Sequence, residues 1–281
     1  MKQSPTVKRI GVLLHGFGKT NLSAFRFLML KMNSIQHVFD FEFLPFDTTD
    51  PFIESLSVKA KLDRDSVEKE IPSFLERYKK LLVFSTLSFD LQEVPPDHFV
   101  LVTMARFSDN YYATHKGKLS ILALGNWKRF MAPPSLLEFI LILTLKEAFS
   151  ALSPSIHDLY HFGTKGCLFD FTPTIDHARY KVLNANICKN CQMALEKHIP
   201  TEFMDEILFV LSKEWFGQPS NPMSPASITS KLEYNLFTTK GLDSTAWEKF
   251  INIIQQESAK QIVWILSSII LACLILWLGL K

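Results

Sequence analysis

Cysteine is scarce: the 281 residues hold only Cys167, Cys188, Cys191 and Cys273. So small a number, with three crowded into one stretch, excludes the disulfide framework that small secreted domains use. Charge of one sign is lacking too. Lys plus Arg number 30 and Asp plus Glu 28, with no basic block, which argues against a nucleic-acid-binding surface. No internal repeat is present. The N-terminal stretch has basic residues, but its apolar run covers only residues 10–14 before His15 and Gly16 interrupt it, so no secretory signal is read there.

Two catalytic signatures are incomplete. Leu14-His15-Gly16-Phe17-Gly18 looks like the oxyanion strand of an α/β-hydrolase, yet the chain contains no Gly-x-Ser-x-Gly elbow to supply a nucleophile. Gly16-Phe17-Gly18-Lys19-Thr20 looks like the end of a phosphate-binding loop, but Leu13 stands where that loop needs its first glycine. Both readings give way to a strand-to-helix turn that needs permissive glycines. Nucleotide binding through Lys19 is the lesser alternative.

What the chain does have begins with one long apolar run. Residues 262–280 are nineteen uncharged residues, followed by Lys281. At about 1.5 Å per residue, such a helix spans roughly the hydrocarbon core of a bilayer. Trp264 and Trp277 sit near its ends, where indoles favour the interface. The expectation is a single-pass, tail-anchored membrane protein with the bulk of the chain cytosolic. Ser267, Ser268 and Ala272 would allow spans to approach closely and self-associate.

The remaining sequence reads as α/β, with α+β as the alternative: a mixed-sheet domain over residues 1–215. Phenylalanine is frequent, at 24, and lies within mixed sequence, as a well-filled core requires. Residues 8–14 read as a buried strand, 21–32 as a helix and 38–44 as an alternating strand, a βαβ-like opening. Residues 65–82 form a charged amphipathic helix. Residues 98–107 and 118–124 read as strands joined by a polar loop, 108–117. Ala132-Pro133-Pro134-Ser135 breaks the chain and caps a long apolar helix, 136–152. Further helices are expected at 192–197 and 201–215. The proline-rich stretch after residue 215 predicts a linker over 216–243. Thr245 and Glu248 have capping-box spacing and open a juxtamembrane amphipathic helix over 244–261.

The chemistry concentrates in residues 157–191. Cys188-Lys189-Asn190-Cys191 has knuckle spacing, which lets two thiolates face one metal, and Cys167 lies upstream. Zinc takes four N/S ligands in a closed structural site, so Cys167, Cys188, Cys191 and one histidine form a candidate set. His161 is the first choice for the fourth ligand, with His157 and His177 as alternatives. Incidental, buried cysteines are the bland reading. His157 and His161 are also four apart. On one helix face they could hold a catalytic zinc, with Asp158 as general base in place of the usual glutamate.

Four short motifs belong together: Leu124-Gly125-Asn126-Trp127; Ala132-Pro133-Pro134-Ser135; Gly166-Cys167-Leu168-Phe169-Asp170; and Ile187-Cys188-x-x-Cys191. They resemble a little-characterised bacterial set of degenerate zincin-like, archaemetzincin-type proteins. In active archaemetzincins the central helix carries His-Glu-x-x-His and a nearby cysteine cluster holds a second, structural zinc. The helix over 136–152 has no histidine. The resemblance covers residues 8–197. It implies the structural metal cluster without the protease centre: a scaffold that has lost catalysis, or one using His157 and His161 in an altered site. Two functions follow as expectations. One is a zinc-stabilised domain that binds a ligand or partner at a membrane, a design that fits a regulatory or defence effector. The other is a membrane-bound zinc metallopeptidase.

Overall fold

The computed structural model describes residues 7–58, 61–87, 89, 94–251, 254, 264, 266–270, 274 and 277. Its frame is one mixed sheet of β1 (Lys8–His15), β2 (Phe39–Phe43), β3 (His98–Thr103), β4 (Ala113–Lys116) and β5 (Leu119–Ala123). The strand order is β2-β1-β3-β5-β4. All neighbours run parallel except β4, which pairs antiparallel with β5 at the edge. β3 and β5 are buried at every position, as central strands covered on both faces must be.

Alternation along the strands sorts the side chains into two cores. Leu13, Phe99, Leu101 and Ile121 enter the smaller one. It is closed by α2 (Pro51–Val58) and α3 (Arg64–Leu87), with Phe52, Phe74 and Tyr78 in a run of ring contacts. Ile10, Val12, Val100, Val102 and Leu122 enter the larger core. That face is covered by α1 (Ser23–Met32) and α4 (Leu136–Ala148). Beyond them come α5 (Pro154–His157), α6 (Ile175–Asn184), α7 (Lys189–Leu195), α8 (Thr201–Ser212) and α9 (Pro225–Lys231).

The turn leaving β1 explains the glycine run. Gly16 and Gly18 have φ of +79° and +57°, values that side chains resist. The start of α4 is fixed by a reciprocal cap: Glu138 N–H donates to Ser135 Oγ at 3.3 Å, and Ser135 N–H donates to Glu138 Oε2 at 2.8 Å. Every residue of α4 is buried except Glu138 and Lys146. It is the central helix that its apolar sequence predicts.

The structure departs from the sequence reading in three places. The polar loop over 108–117 contains β4, whose short polar strand Ala-Thr-His-Lys is ordered by pairing with β5 rather than by its own propensity. α2 and α6 were not expected; each is short and lies in mixed sequence. The third departure is a correction: residues 216–243 are not a free linker. Ser224 caps α9 by accepting from Ser227 N–H at 3.1 Å, and Pro225 is the first helical residue. A proline that reads as a breaker is here a helix start. Tyr234 is buried and its hydroxyl donates to Gly241 O at 3.0 Å, while Leu136 N–H donates to Lys240 O at 2.8 Å.

The segment that follows begins as the sequence reading expects. The capping box at Thr245 and Glu248 is formed, and residues 246–251 are helical. Glu248 is held by Arg129 at 2.7 Å, so this helix starts against the body of the domain. The rest of the expected juxtamembrane helix, residues 252–261, lies outside the described residues except Ile254. The expected membrane span, 262–280, also lies mostly outside them. Trp264, Leu266 to Ile270, Leu274 and Trp277 are described, and all are helical and exposed. No described helix is long and apolar enough to cross a membrane.

Replacing Tyr234 by Ala tests whether 216–243 belongs to the fold. Urea unfolding of the full chain in detergent is expected to show a loss of about 3 kcal/mol, the usual cost of emptying a buried aromatic site. A detached linker would show no change.

Candidate metal centre and the adjoining pocket

Two short bridges assemble the cysteine-rich segment. His161 pairs with Asp170: His161 N–H donates to Phe169 O at 3.2 Å and Phe171 N–H donates to His161 O at 3.0 Å. Cys167 pairs with Asn186, where Leu168 N–H donates to Asn186 O at 2.6 Å. Cys188 then caps α7, and Cys191 lies within the first turn. The knuckle spacing thus sits on a helix start, which turns both sulfurs to one side.

The result is a convergent set. One ligand atom each from His161, Cys167, Cys188 and Cys191 lies within 4.8 Å of every other. His161 Nε2 is 3.6 Å from Cys188 Sγ. Cys167 Sγ accepts from Cys188 N–H at 3.3 Å and from Phe169 N–H at 3.5 Å. The Cys191 thiol and then these amides lower the Cys167 pKa to about 5, against the effect of burial. Sharing that hydrogen bond with Cys167, together with burial, pushes Cys191 up. Cys167 is therefore the readier thiolate, and Cys191 needs a cation to lose its proton.

The histidine is oriented from behind. Its Nδ1 lies 3.2 Å from Oδ1 of Asp170, whose side chain is fully buried. Asp170 Oδ2 accepts from Lys165 N–H at 2.9 Å and Cys167 N–H at 3.1 Å. A carboxylate on Nδ1 keeps the proton there and leaves Nε2 free to bind metal. Neither His161 Nδ1 nor Asp170 Oδ1 has a hydrogen-bonding partner among the described residues, and each faces the other at ion-pair distance. Three thiols and one imidazole, buried or half-buried, with an outer carboxylate, are a donor set that fits zinc.

The other candidate residues lie elsewhere. α5 is a single turn ending at His157, so His157 and His161 do not share a helix face. The His157 ring stacks on His115 at 3.8 Å between centroids, and its Nδ1 is 3.1 Å from Asp158 Oδ1. Asp158 points to solvent, 81% exposed, and His177 is exposed on α6. Among the described residues no second group of three His, Cys, Asp or Glu side chains converges as a metal site. The paired-histidine reading with Asp158 as base fails because the helix stops too early.

Beside the cluster lies a cavity of about 290 Å³ between β4, the end of α4, the 157–171 segment and α6. It exposes one edge of a buried polar network. Ser120 Oγ donates to Glu147 Oε2 at 2.8 Å. A hydroxyl has a single proton, so His98 Nε2 at 3.0 Å and His115 Nδ1 at 3.1 Å must both donate to Ser120. Lys146 completes the network with an ion pair to Glu147 Oε1 at 2.8 Å. Burial opposes ionisation of Glu147, but Lys146 and the Ser120 hydroxyl hold its carboxyl down at about 2. Lys181 is 4% exposed and donates to Asp170 O at 3.1 Å. Burial, with Lys146 nearby, draws its amine down to about 7. The sequence reading singled out none of these residues. The available signal was Lys146-Glu147, adjacent charges inside an otherwise apolar helix, which demand buried partners.

No protein-family model matches the chain, and no curated protein does. Among solved structures, the chain is similar to archaemetzincin from Methanopyrus kandleri, at 11% identity and a TM-score of 0.42, over 70% of this chain and 98% of that one. It is also similar to a zinc-dependent peptidase from Methanocorpusculum labreanum, at 13% identity and a TM-score of 0.39, over 66% and 99%. Both likenesses are distant. The first is to a protein of the type that the four sequence motifs resemble.

The network predicts a pH response. Burial, and then the neighbouring His115, lowers His98 from 6.5 to about 3; burial, and then His157, lowers His115 to about 4. Both folded values lie below the unfolded one, so the unfolded chain binds more protons as pH falls below about 6.5. The stability this pair contributes is complete above that pH and declines towards 4. Denaturant unfolding between pH 6.5 and 5 is expected to show this loss. In His115→Gln the slope falls by about one proton.

Proposed function

We propose that this is a zinc-stabilised binding protein rather than a peptidase. Zinc on Cys167, Cys188, Cys191 and His161 would cross-link the loop segment that forms one wall of the pocket. The pocket, not the metal, would receive the ligand. The observation that carries this reading is the closed ligand set: four donors within 4.8 Å of one another fill a tetrahedral site and leave no position for substrate or water. A catalytic zinc needs such an open position, and the described residues offer no other convergent set for one.

Membrane attachment through residues 262–280 belongs to the same reading and is supported by the sequence alone. The domain would then act at a bilayer with its bulk in the cytosol, where thiols stay reduced and available to zinc. Close packing of spans through Ser267, Ser268 and Ala272 would bring copies together.

Elemental analysis of the full chain in detergent tests the zinc. One zinc per chain is expected, lost in Cys188→Ser and kept in His157→Ala. Zinc lost with His157→Ala and kept in Cys188→Ser would restore the peptidase reading. A vesicle flotation assay tests the attachment. The full chain is expected to float with phosphatidylcholine vesicles, and the double variant Ile270→Arg, Leu274→Arg to stay with the soluble fraction, since each arginine costs about 3 kcal/mol at a span centre. Equal flotation would remove 262–280 as the anchor.

A further inference from the structure

Lys181 is a buried amine that no carboxylate among the described residues pairs. It is 4% exposed, yet among the described residues no carboxylate oxygen lies within ion-pair distance of it. Its Nζ donates to one backbone oxygen, Asp170 O, and faces the Tyr112 ring at 5.4 Å. An ammonium carries three donors, so this contact leaves donors unspent. Burying a charge without a partner is costly, and natural folds rarely keep one unless something else pairs it. Lys181 lines the 290 Å³ cavity, so a ligand in the cavity can supply the missing charge.

The number of free charges selects the kind of anion. Lys146 also lines the cavity, but Glu147 already neutralises it at 2.8 Å. Arg64, on the same wall, is engaged by Asp109 at 2.9 Å. Of the other carboxylates on the lining, Glu68 accepts from Thr114, Asp170 faces His161, and Asp158 lies beside His157 and points to solvent, so the one basic group left without a carboxylate, Lys181, matches a monoanion. A phosphate dianion would find neither a second free cation nor a glycine-rich run of amides, because no glycine lines the cavity.

The mouth of the cavity adds an independent observation. Tyr160, Phe162 and Phe171 are 57%, 78% and 42% exposed, and their ring centroids lie 5.7 to 6.1 Å apart. Tyr160 and Phe171 themselves line the cavity. Three contiguous exposed rings at the rim of a polar pocket form an apolar shelf that water serves poorly. A ligand anchored at Lys181 would lay its apolar part on this shelf.

We infer that the cavity binds a small amphipathic carboxylate, its carboxyl group on Lys181 and its apolar chain or ring against Tyr160 and Phe171. This rests on the reading that the pocket, rather than the zinc cluster, is the binding site. No bond is made or broken. The carboxylate accepts the hydrogen bonds that Asp170 O leaves unspent, the ligand's own acid proton completing the ammonium where the amine is neutral, and the low dielectric of the site strengthens the pairing.

The test is a thermal-melt titration of the full, zinc-loaded chain in neutral detergent. The probes are 4-phenylbutyrate, its neutral alcohol 4-phenylbutanol, acetate and inorganic phosphate at constant ionic strength. Expected is a rise in melting midpoint of about 3 °C at saturating 4-phenylbutyrate, with acetate needing about tenfold more. The alcohol and phosphate should give no shift. Lys181→Met should abolish the 4-phenylbutyrate shift while keeping its zinc. Phe171→Ala, which leaves the lysine untouched, should bring 4-phenylbutyrate down to the acetate level. The comparison of acid with alcohol in the parent decides the matter even where Lys181→Met does not fold. If the alcohol or phosphate stabilises as well as the acid, or a folded Lys181→Met responds like the parent, the carboxylate assignment is overturned and the pocket remains a binding site. If no probe shifts the parent, both the assignment and the pocket reading fall.

Discussion

The carboxylate of Glu147 is the constraint around which the larger core is built. It lies near the C-terminal end of a mostly apolar helix, in the interior, where an unpaired charge costs several kcal/mol. Its partners come from separate elements: Ser120 on β5, and Lys146 one residue back along α4. Ser120 is in turn held by His98 on β3 and His115 on β4. A single buried charge thus ties the helix to three strands and sets how α4 lies across the sheet. It also accounts for the edge strand. β4 is four residues long and polar, yet it carries His115 into the network and Thr114 into a hydrogen bond with Glu68 of α3.

The cysteine cluster solves a different problem. Residues 157–171 have little regular structure, and the two bridges at His161 and Cys167 are isolated pairs rather than ladders. Such a segment has few backbone hydrogen bonds to hold it and a large conformational entropy to lose. A metal bound by His161, Cys167, Cys188 and Cys191 would close the loop that contains α6 and join it to the start of α7. Asp170 links this cluster to the pocket. Its carboxylate faces His161 and the amides beside Cys167, while its carbonyl accepts from Lys181. The wall that carries the metal ligands is therefore the wall that positions the pocket lysine.

Much of the scaffold is readable along the chain. The strands at 8–14 and 38–44, the helix between them and the capped apolar helix after Ser135 are local features, decided by period-two or period-three-to-four patterning and by caps. The knuckle at Cys188 and Cys191 is also local, and with Cys167 it marks the region of the metal centre. The misreadings share one cause. The prolines of 218–225 read as a linker because their local signal is a break, yet Pro225 begins a helix whose burial depends on contacts far away in sequence. The pair His157 and His161 has the spacing of one helix face, but the helix ends at His157 because the following residues turn away to pair His161 with Asp170.

Sequence by itself determined the elements with strong periodicity, the turn glycines, the cap of α4, the cysteine spacing and the apolar run at 262–280. Each depends on residues within a few positions of one another. Tertiary structure alone decided which histidine joins the cysteines, that β4 exists, and that His115, Glu147 and Lys181 line one cavity with His98 and Ser120 behind them. These residues lie on five elements and come together only when the sheet and its helices pack. The energy that selects them is the desolvation of buried polar groups, which no local pattern records.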